Sequence, residues 1–283
     1  MRRLRIVTHS AAAFATVVLL LSAGTRAQGP PRRIVSVNLC TDQLLMLLVE
    51  PSRIAAVSHL ARDPSLSALA EEARKIAIVH ANAEEVLRAD PDLVLAGPWT
   101  TRATGDLLRR LGRRVAIVPL AQDLDGVRAA VREVARLTGA EARGEEIVAA
   151  FDRRRAEIEK KRPSSPRTAV VYHVAGLASG TGTLADAVLR AAGLRNAAEA
   201  ERLDAKGALA LERLLADPPD LVVLGHAEDE YRTVQADNLR HPALRRLLER
   251  VESVHIPQRL MICASPKVLD AVELLVDKRR ALP

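Results

Sequence analysis

The side chains able to do chemistry are few, and they fall in short loops rather than in one compact motif. Cys40 and Cys263 are the only cysteines. His59, His80, His173 and His226 fall in loops on the strand-end side, and neutral imidazole is the commonest metal ligand. Arg62, Arg102 and Arg259 could hold a carboxylate or phosphate bidentately. Trp99, the only tryptophan, follows a strand-exit glycine, a place suited to stacking on a flat ligand face. Asn38, Tyr231 and the turn Ser179-Gly180-Thr181-Gly182-Thr183 complete the set, with Thr183 placed to cap the next helix. The blander alternatives are solvated loop histidines, surface arginines and a tryptophan packed under a rim.

Three readings of the cysteine pair compete: a disulfide clasp, two soft ligands for a metal, or two unrelated thiols. A bond would need the two Cα atoms within about 7 Å. Neither cysteine has a CxxC partner, which argues against a structural zinc site. Catalysis finds little support, because the chain has no GxSxG elbow, no HExxH and no paired carboxylates in one loop. The best assembly would be a Cys40 nucleophile at a helix N-terminus with His59 or His80 as base.

These residues need a scaffold, and the chain supplies one twice. Residues 83–97 (AEEVLRADPDLVLAG) and 211–225 (LERLLADPPDLVVLG) align without a gap. The alignment matches Glu84 with Glu212, Pro91 with Pro219, Asp92 with Asp220, Leu93 with Leu221 and Gly97 with Gly225. Each copy reads as a short helix, a proline break, a buried strand and a glycine exit. Residues 108–120 and 247–257 repeat a second helix and strand more loosely.

Strands are expected near 34–37, 54–57, 92–96, 115–118, 168–173, 220–224 and 253–256, and a last helix over 265–279 started by Ser265-Pro266. The fold class is α/β, with two related, mostly parallel-sheet lobes. From 140 to 162 the chain is proline-free, with Ile147, Val148, Phe151 and Ile158 on one helical stripe. That single helix, about 34 Å long, joins the lobes and limits their relative motion. The expected divisions are therefore 28–139, 140–162 and 163–283. Ligands of open α/β sheets bind beyond the carboxyl ends of the strands, where the residues named above fall.

Residues 1–27 have the marks of a cleavable signal peptide: a basic start, an apolar stretch over 11–23, and Thr25-Arg26-Ala27 before a cut. No cysteine directly follows the apolar stretch, which argues against a lipoprotein. Of the formal net charge of +7, four units come from Arg2, Arg3, Arg5 and Arg26 in this segment, and the remaining +3 is too mild to argue for nucleic acid. Aromatic residues make up 2% of the chain, which leaves little for stacking on bases.

RIVSVNLCTDQLL at the start, the glutamate-helix-Pro-Asp-Leu-Val unit once per lobe and the joining helix resemble the periplasmic substrate-binding proteins of ABC importers for cobalamin, haem and ferric siderophores, over roughly residues 32–280. The resemblance implies a class III architecture with ligand held in the cleft between the lobes. It also implies that Glu84 and Glu212 pair with arginines on the two permease subunits. Two carboxylates at equivalent places on pseudo-symmetric lobes suit a two-fold partner, and rim charges tune docking more than affinity. A first-turn acid favoured by the helix dipole is the plainer reading. Glu85 fits that reading better, through its capping-box spacing from Asn82.

The expectation is a periplasmic, monomeric binding protein with no catalytic residue and no cofactor of its own. It captures a metal chelate, a corrinoid or a ferric siderophore, and delivers it to an ABC permease dimer with its ATPase. The expected ligand wall is Asn38, Cys40, His59, His80, Trp99, Arg102, His173, Thr181, Tyr231, Arg259 and Cys263, with the metal, if any, left open. Direct metal or haem capture is the alternative, and the scarcity of tyrosine weakens haem.

Overall fold

The computed structural model describes residues 29–98, 100, 102–203, 206–225 and 238–282. The expected signal segment, Trp99, His226 and Tyr231 lie outside the described residues. The first lobe is built on β1 (Ile34–Ser36), β2 (Ile54–Ser58), β3 (Ile78–Val79), β4 (Leu93–Ala96) and β5 (Val115–Ile117). They form one parallel sheet in the order β3-β2-β1-β4-β5. Helices α1 (Leu39–Leu48), α2 (Ala70–Ala73), α3 (Ala83–Arg88), α4 (Arg102–Arg110) and α5 (Leu124–Thr138) connect and cover it.

The central strands β1 and β4 are buried on both faces, which is why they read as unbroken apolar runs rather than alternating ones. Ile34, Leu93 and Leu95 face α1 and α5, while Val35, Val94 and Ala96 face Val86 of α3 and Leu108 of α4. The second lobe repeats the scheme. Its strands are β6 (Arg167–Tyr172), β7 (Leu177–Ser179), β8 (Leu194–Asn196), β9 (Lys206–Ala208), β10 (Leu221–Leu224) and β11 (Glu252–His255). Its helices are α7 (Leu184–Ala191), α8 (Leu211–Ala216), α9 (Pro242–Leu248) and α10 (Val268–Arg280). The sheet order is β11-β10-β6-β7-β9, with β8 also pairing with β6.

Strands β8, β10 and β11 continue the parallel direction of β6, whereas β7 and β9 each pair antiparallel with their neighbour on the path. The reversal is a tight turn in which Ala175 and Gly176 both take positive φ, closed by His173 N donating to Leu177 O at 2.7 Å. Such turns favour Gly, Asn or Asp at both central positions, so Val174-Ala175-Gly176 carries only half of the usual signal. Four short strands, β3, β7, β8 and β9, thus lie beyond the sequence expectation. The two repeat copies form matching elements, α3 with α8 and β4 with β10.

The joining helix is α6 (Glu141–Lys161), and its stripe is buried at Val148, Phe151 and Ile158. It is not the only element shared by the lobes. Leu124 and Val127 of α5 pack in the second lobe's core, while Ala130, Val131 and Val134 of the same helix pack in the first. A pair of packed helices is a stiffer strut than one. Arg154 of α6 adds bonds to Asp270 and Glu273 of α10, at 2.5 and 2.7 Å. The last helix starts at Val268 instead of Ser265, because Ser265 is buried with its Oγ 3.4 Å from Gln43 Oε1 across the lobe seam and does not cap α10.

Candidate functional site: the cleft between the lobes

The carboxyl ends of the parallel strands of the two sheets meet at a seam. Cys40, in the first turn of α1, is joined to Cys263, in the segment after β11, by a disulfide with Cα atoms 5.0 Å apart that closes a separation of 223 positions. This settles the three readings of the pair. Sulfur atoms bonded to each other are neither soft metal ligands nor a thiol nucleophile, and no free cysteine is left. Beside the bond, Arg259 Nη1 lies 3.5 Å from Pro64 O and Ala68 packs against the second lobe's core. The covalent closure and these contacts hold the strand-end loops of the two lobes against each other, where the sequence places the floor of the expected cleft.

Each lobe builds its half of the floor in the same way. Asn38, directly after β1 and Val37, caps α1 by accepting from Cys40 N at 3.0 Å and Thr41 N at 3.4 Å. It also packs against Gly97, the exit glycine of the first repeat, where an added Cβ would lie 2.6 Å from Asn38 Nδ2. His173, directly after β6, bonds Ser179 Oγ through Nε2 at 2.8 Å. It covers Gly225, the exit glycine of the second repeat, where a Cβ would lie 3.1 Å from His173 Nδ1. The glycines are needed because a polar side chain from the neighbouring strand end crosses directly over each of them.

On the rim of the first lobe, β2 and β3 end side by side and set His59 and His80 next to each other. Their exposed rings stack with centroids 4.8 Å apart. Glu85 orients His80: its Oε2 accepts from His80 N at 2.7 Å and lies 3.2 Å from Nδ1. That leaves the Nε2 edge of His80 for a ligand, the arrangement by which a carboxylate fixes a ligating imidazole. Asn82 caps α3 and bonds the same carboxylate through Nδ2. The His80 backbone N–H, with help from Asn82, pulls the Glu85 carboxyl down to about 2.

The acid that serves the fold in this turn is therefore Glu85. Glu84 points outward, its side chain 85% exposed and bonded to Arg88 at 2.8 Å. Glu212 occupies the same place on α8, is exposed, and belongs to a helix with no side-chain cap at Ala210. Helices α3 and α8 follow β3 and β9, strands that run in the direction of β1 and β6 in their sheets. The two glutamates thus stand at the strand-carboxyl end of their lobes. Tyr172, 1% exposed beneath this surface, has its phenol pushed up by burial and by the Glu212 charge.

Other expected wall residues are placed less centrally. Arg102 is exposed at the start of α4. Arg62 turns its guanidinium onto the carbonyls of Ala73 and Ile76, at 3.2 and 2.5 Å, and so braces its own lobe. Thr181 N donates to Leu203 O at 2.9 Å, and Thr183 caps α7 as expected. Gly182 and Thr183 line a different cavity, of about 460 Å³, between α5, α6, α7 and α10. There Arg155 and Arg190 are paired with Asp125 and Asp186.

Two buried polar residues of α1 escaped the sequence reading. Gln43 meets Ser265 across the lobes, and Asp42, fully buried in α1, accepts from Ser58 N at 3.1 Å and Ser58 Oγ at 2.5 Å. Burial pushes the Asp42 carboxyl up to about 7, against the hydrogen bonds from Ser36 and Ser58. The one available signal was an Asp and a Gln inside an otherwise apolar helix.

Residues 34–249 match the family described as Periplasmic binding protein. Cobalamin-binding proteins of two Halobacterium salinarum strains are each 30% identical over 203 residues; the match covers 70% of this chain and spans about half, 55%, of their length. The fold is shared with the periplasmic heme-binding protein RhuT from Roseiflexus sp. RS-1 (TM-score 0.75, 22% identity, 89% of this chain and 99% of that one). It is also shared with the periplasmic vitamin B12 binding protein BtuF of Vibrio cholerae (TM-score 0.68, 17% identity, 89% and 98%). With its repeated lobes, shared helical strut and cleft at the strand ends, the chain belongs to the periplasmic binding protein family.

Proposed function

We propose that this chain is the periplasmic substrate-binding subunit of an ABC importer, exported by its N-terminal segment. It holds a metal chelate, a corrinoid or a ferric siderophore, between its lobes and delivers it to a permease dimer driven by an ATPase, with no reaction at the cleft. The observation that carries the reading is the pair of exposed carboxylates, Glu84 and Glu212, on the first turns of equivalent helices at the strand-carboxyl end of the two lobes. A partner with two-fold symmetry presents the same groups twice, and the repeat answers with the same acid twice.

The wall chemistry supports a chelate cargo. Two adjacent imidazoles, His59 and His80, offer too few donors to hold a bare ion, which wants four or more. They suit a metal that brings most of its own ligands. That pair is also what favours the second reading, haem, whose iron takes axial imidazole.

The test is Glu84→Ala with Glu212→Ala. Uptake should be lost while the purified protein binds cargo with unchanged affinity; weakened binding would assign the carboxylates to the cleft and overturn the docking role. Tryptophan-quenching titrations with cyanocobalamin, haemin and a ferric hydroxamate identify the cargo. Saturable quenching by cyanocobalamin or the ferric hydroxamate supports the chelate reading, quenching by haemin the second reading, and no response to any of them removes both.

A further inference from the structure

At the end of the second lobe away from the cleft, where β6 and β8 begin, Arg162, Arg167 and Arg279 cluster: Arg167 is paired with Asp220 at 2.9 Å and Arg162 lies 3.7 Å from Glu159, while Arg279 has no carboxylate partner among the described residues. Arg279, in the last turn of α10, is 4% exposed. Its Nη1 donates to Ala192 O at 3.1 Å and its Nη2 to Ser165 O, while its Nε is buried without a partner. The side-chain charges that act on it are those of Arg162 and Arg167, both repulsive, and with burial they push its pKa down. Arg33, Arg53 and Arg62 also bond backbone carbonyls, but each keeps access to water. A buried cation without a counter-ion is costly.

Arg162 and Arg279 converge on Gly193. An added Cβ there would overlap Arg279 Nη1 and lie 2.7 Å from Arg162 Cδ, and Gly193 takes φ +77°. Arg162 and Arg279, with Glu159, Ser164, Ser165 and Gly193, line an open cavity of about 420 Å³. The carboxylate in it, Glu159, is 3.7 Å from Arg162 and forms no ion pair with Arg279 among the described residues. Pro163 and Pro166 stiffen the wall between the two serines and the neighbouring elements.

We propose that this cavity is an anion site for a phosphate-type oxyanion, held by Arg162 and Arg279 with the hydroxyls of Ser164 and Ser165 beside it. The Arg162 guanidinium, held only loosely by Arg190 O at 3.5 Å and Glu159 at 3.7 Å, matches the oxygens of a phosphate better than a monovalent halide, and the buried Arg279 charge beside it favours an anion there. The site lies at the opposite end of the strands from the cleft and from Glu84 and Glu212. It therefore stays open whether or not the protein carries cargo or is docked, and it is independent of the cargo assignment.

Calorimetric titration of the full mature chain with inorganic phosphate and with glycerol phosphate, against chloride at equal ionic strength, tests the proposal. Saturable one-to-one binding with a rise in Tm is expected, and Arg162→Ala should weaken it roughly tenfold or more while leaving the fold intact. Arg279→Leu should remove the dependence of Tm on phosphate. Stronger binding of the ester assigns the site to a phosphate monoester, such as a headgroup, and equal or weaker binding to the free anion. No saturable binding by the wild type, or binding undiminished in Arg162→Ala, overturns the site, and the second outcome remains readable even where Arg279→Leu does not fold.

Discussion

Asp92 and Asp220, equivalent residues of the two repeat copies, perform the same task in different sheets. Asp92 accepts from the backbone N–H of Arg32 at 2.6 Å and of Arg33 at 3.1 Å, just ahead of β1. Asp220 accepts from Thr168 N at 2.6 Å and Thr168 Oγ1 at 2.9 Å, at the start of β6. Each carboxylate ties the entry of its own strand, β4 or β10, to the central strand beside it and so sets the register of the lobe's core. Burial pushes the Asp220 carboxyl up, but the Thr168 N–H and the Arg167 guanidinium outweigh it and hold the pKa below the ordinary range.

Asp92→Ala and Asp220→Ala should each destabilise the protein by about 1–3 kcal/mol, the range for removing the acceptor of charge-assisted bonds to backbone N–H groups. The two sites share no partner, so the double variant should be additive within about 0.5 kcal/mol. Urea unfolding of the four proteins measures both. Because its folded pKa is depressed, the contribution of Asp220 is present above the unfolded carboxyl range and is lost as the pH falls through the folded value. Asp220→Ala should therefore cost less in acid than at neutral pH.

Thiol titration of the native protein should find no free cysteine, and Cys40→Ser with Cys263→Ser should lower the unfolding free energy by about 2–5 kcal/mol. The helical strut holds the lobes without the bond, so the variant should still fold. Hydrogen exchange should accelerate around residues 258–265, which the disulfide pins to α1. Unchanged exchange there would show that the strut alone closes the seam.

Asp42 has the opposite sign from Asp220. Its folded pKa of about 7 lies above the ordinary carboxyl value of 3.8. Between those values the unfolded chain gives up a proton that the folded chain keeps, so stability falls as the pH rises across that window, and the loss is complete above it. Asp42→Asn removes this dependence and keeps an acceptor for Ser58 N. Relative to wild type, the variant should gain up to about 4 kcal/mol between about pH 4 and pH 8. Unfolding curves at the two ends of that range would show a constant difference if Asp42 were ionised throughout.

Much of this protein was legible in order along the chain. The gapless repeat placed β4 and β10, their preceding helices and the matched pair Glu84 and Glu212, because a helix-proline-strand unit is specified by local periodicity and by residues that restrict the backbone. The joining helix was readable from its stripe of Val148, Phe151 and Ile158 for the same reason. What stayed hidden depends on residues distant in sequence. The antiparallel turn to β7 rests on Ala175 in a positive-φ conformation that its side chain does not announce. Ser265 looks like a cap until Gln43 of the other lobe is set against it.

By itself, the sequence determined the two-lobed α/β class, the strand ends that carry polar side chains, and the symmetry of Glu84 and Glu212. Only the tertiary structure decided that Cys40 and Cys263 are bonded, that His59 stacks on His80, and that Arg162 and Arg279 converge on Gly193. A pattern along the chain reports which face of an element is apolar. It does not report which remote side chain meets that element once both sheets have closed over their cores.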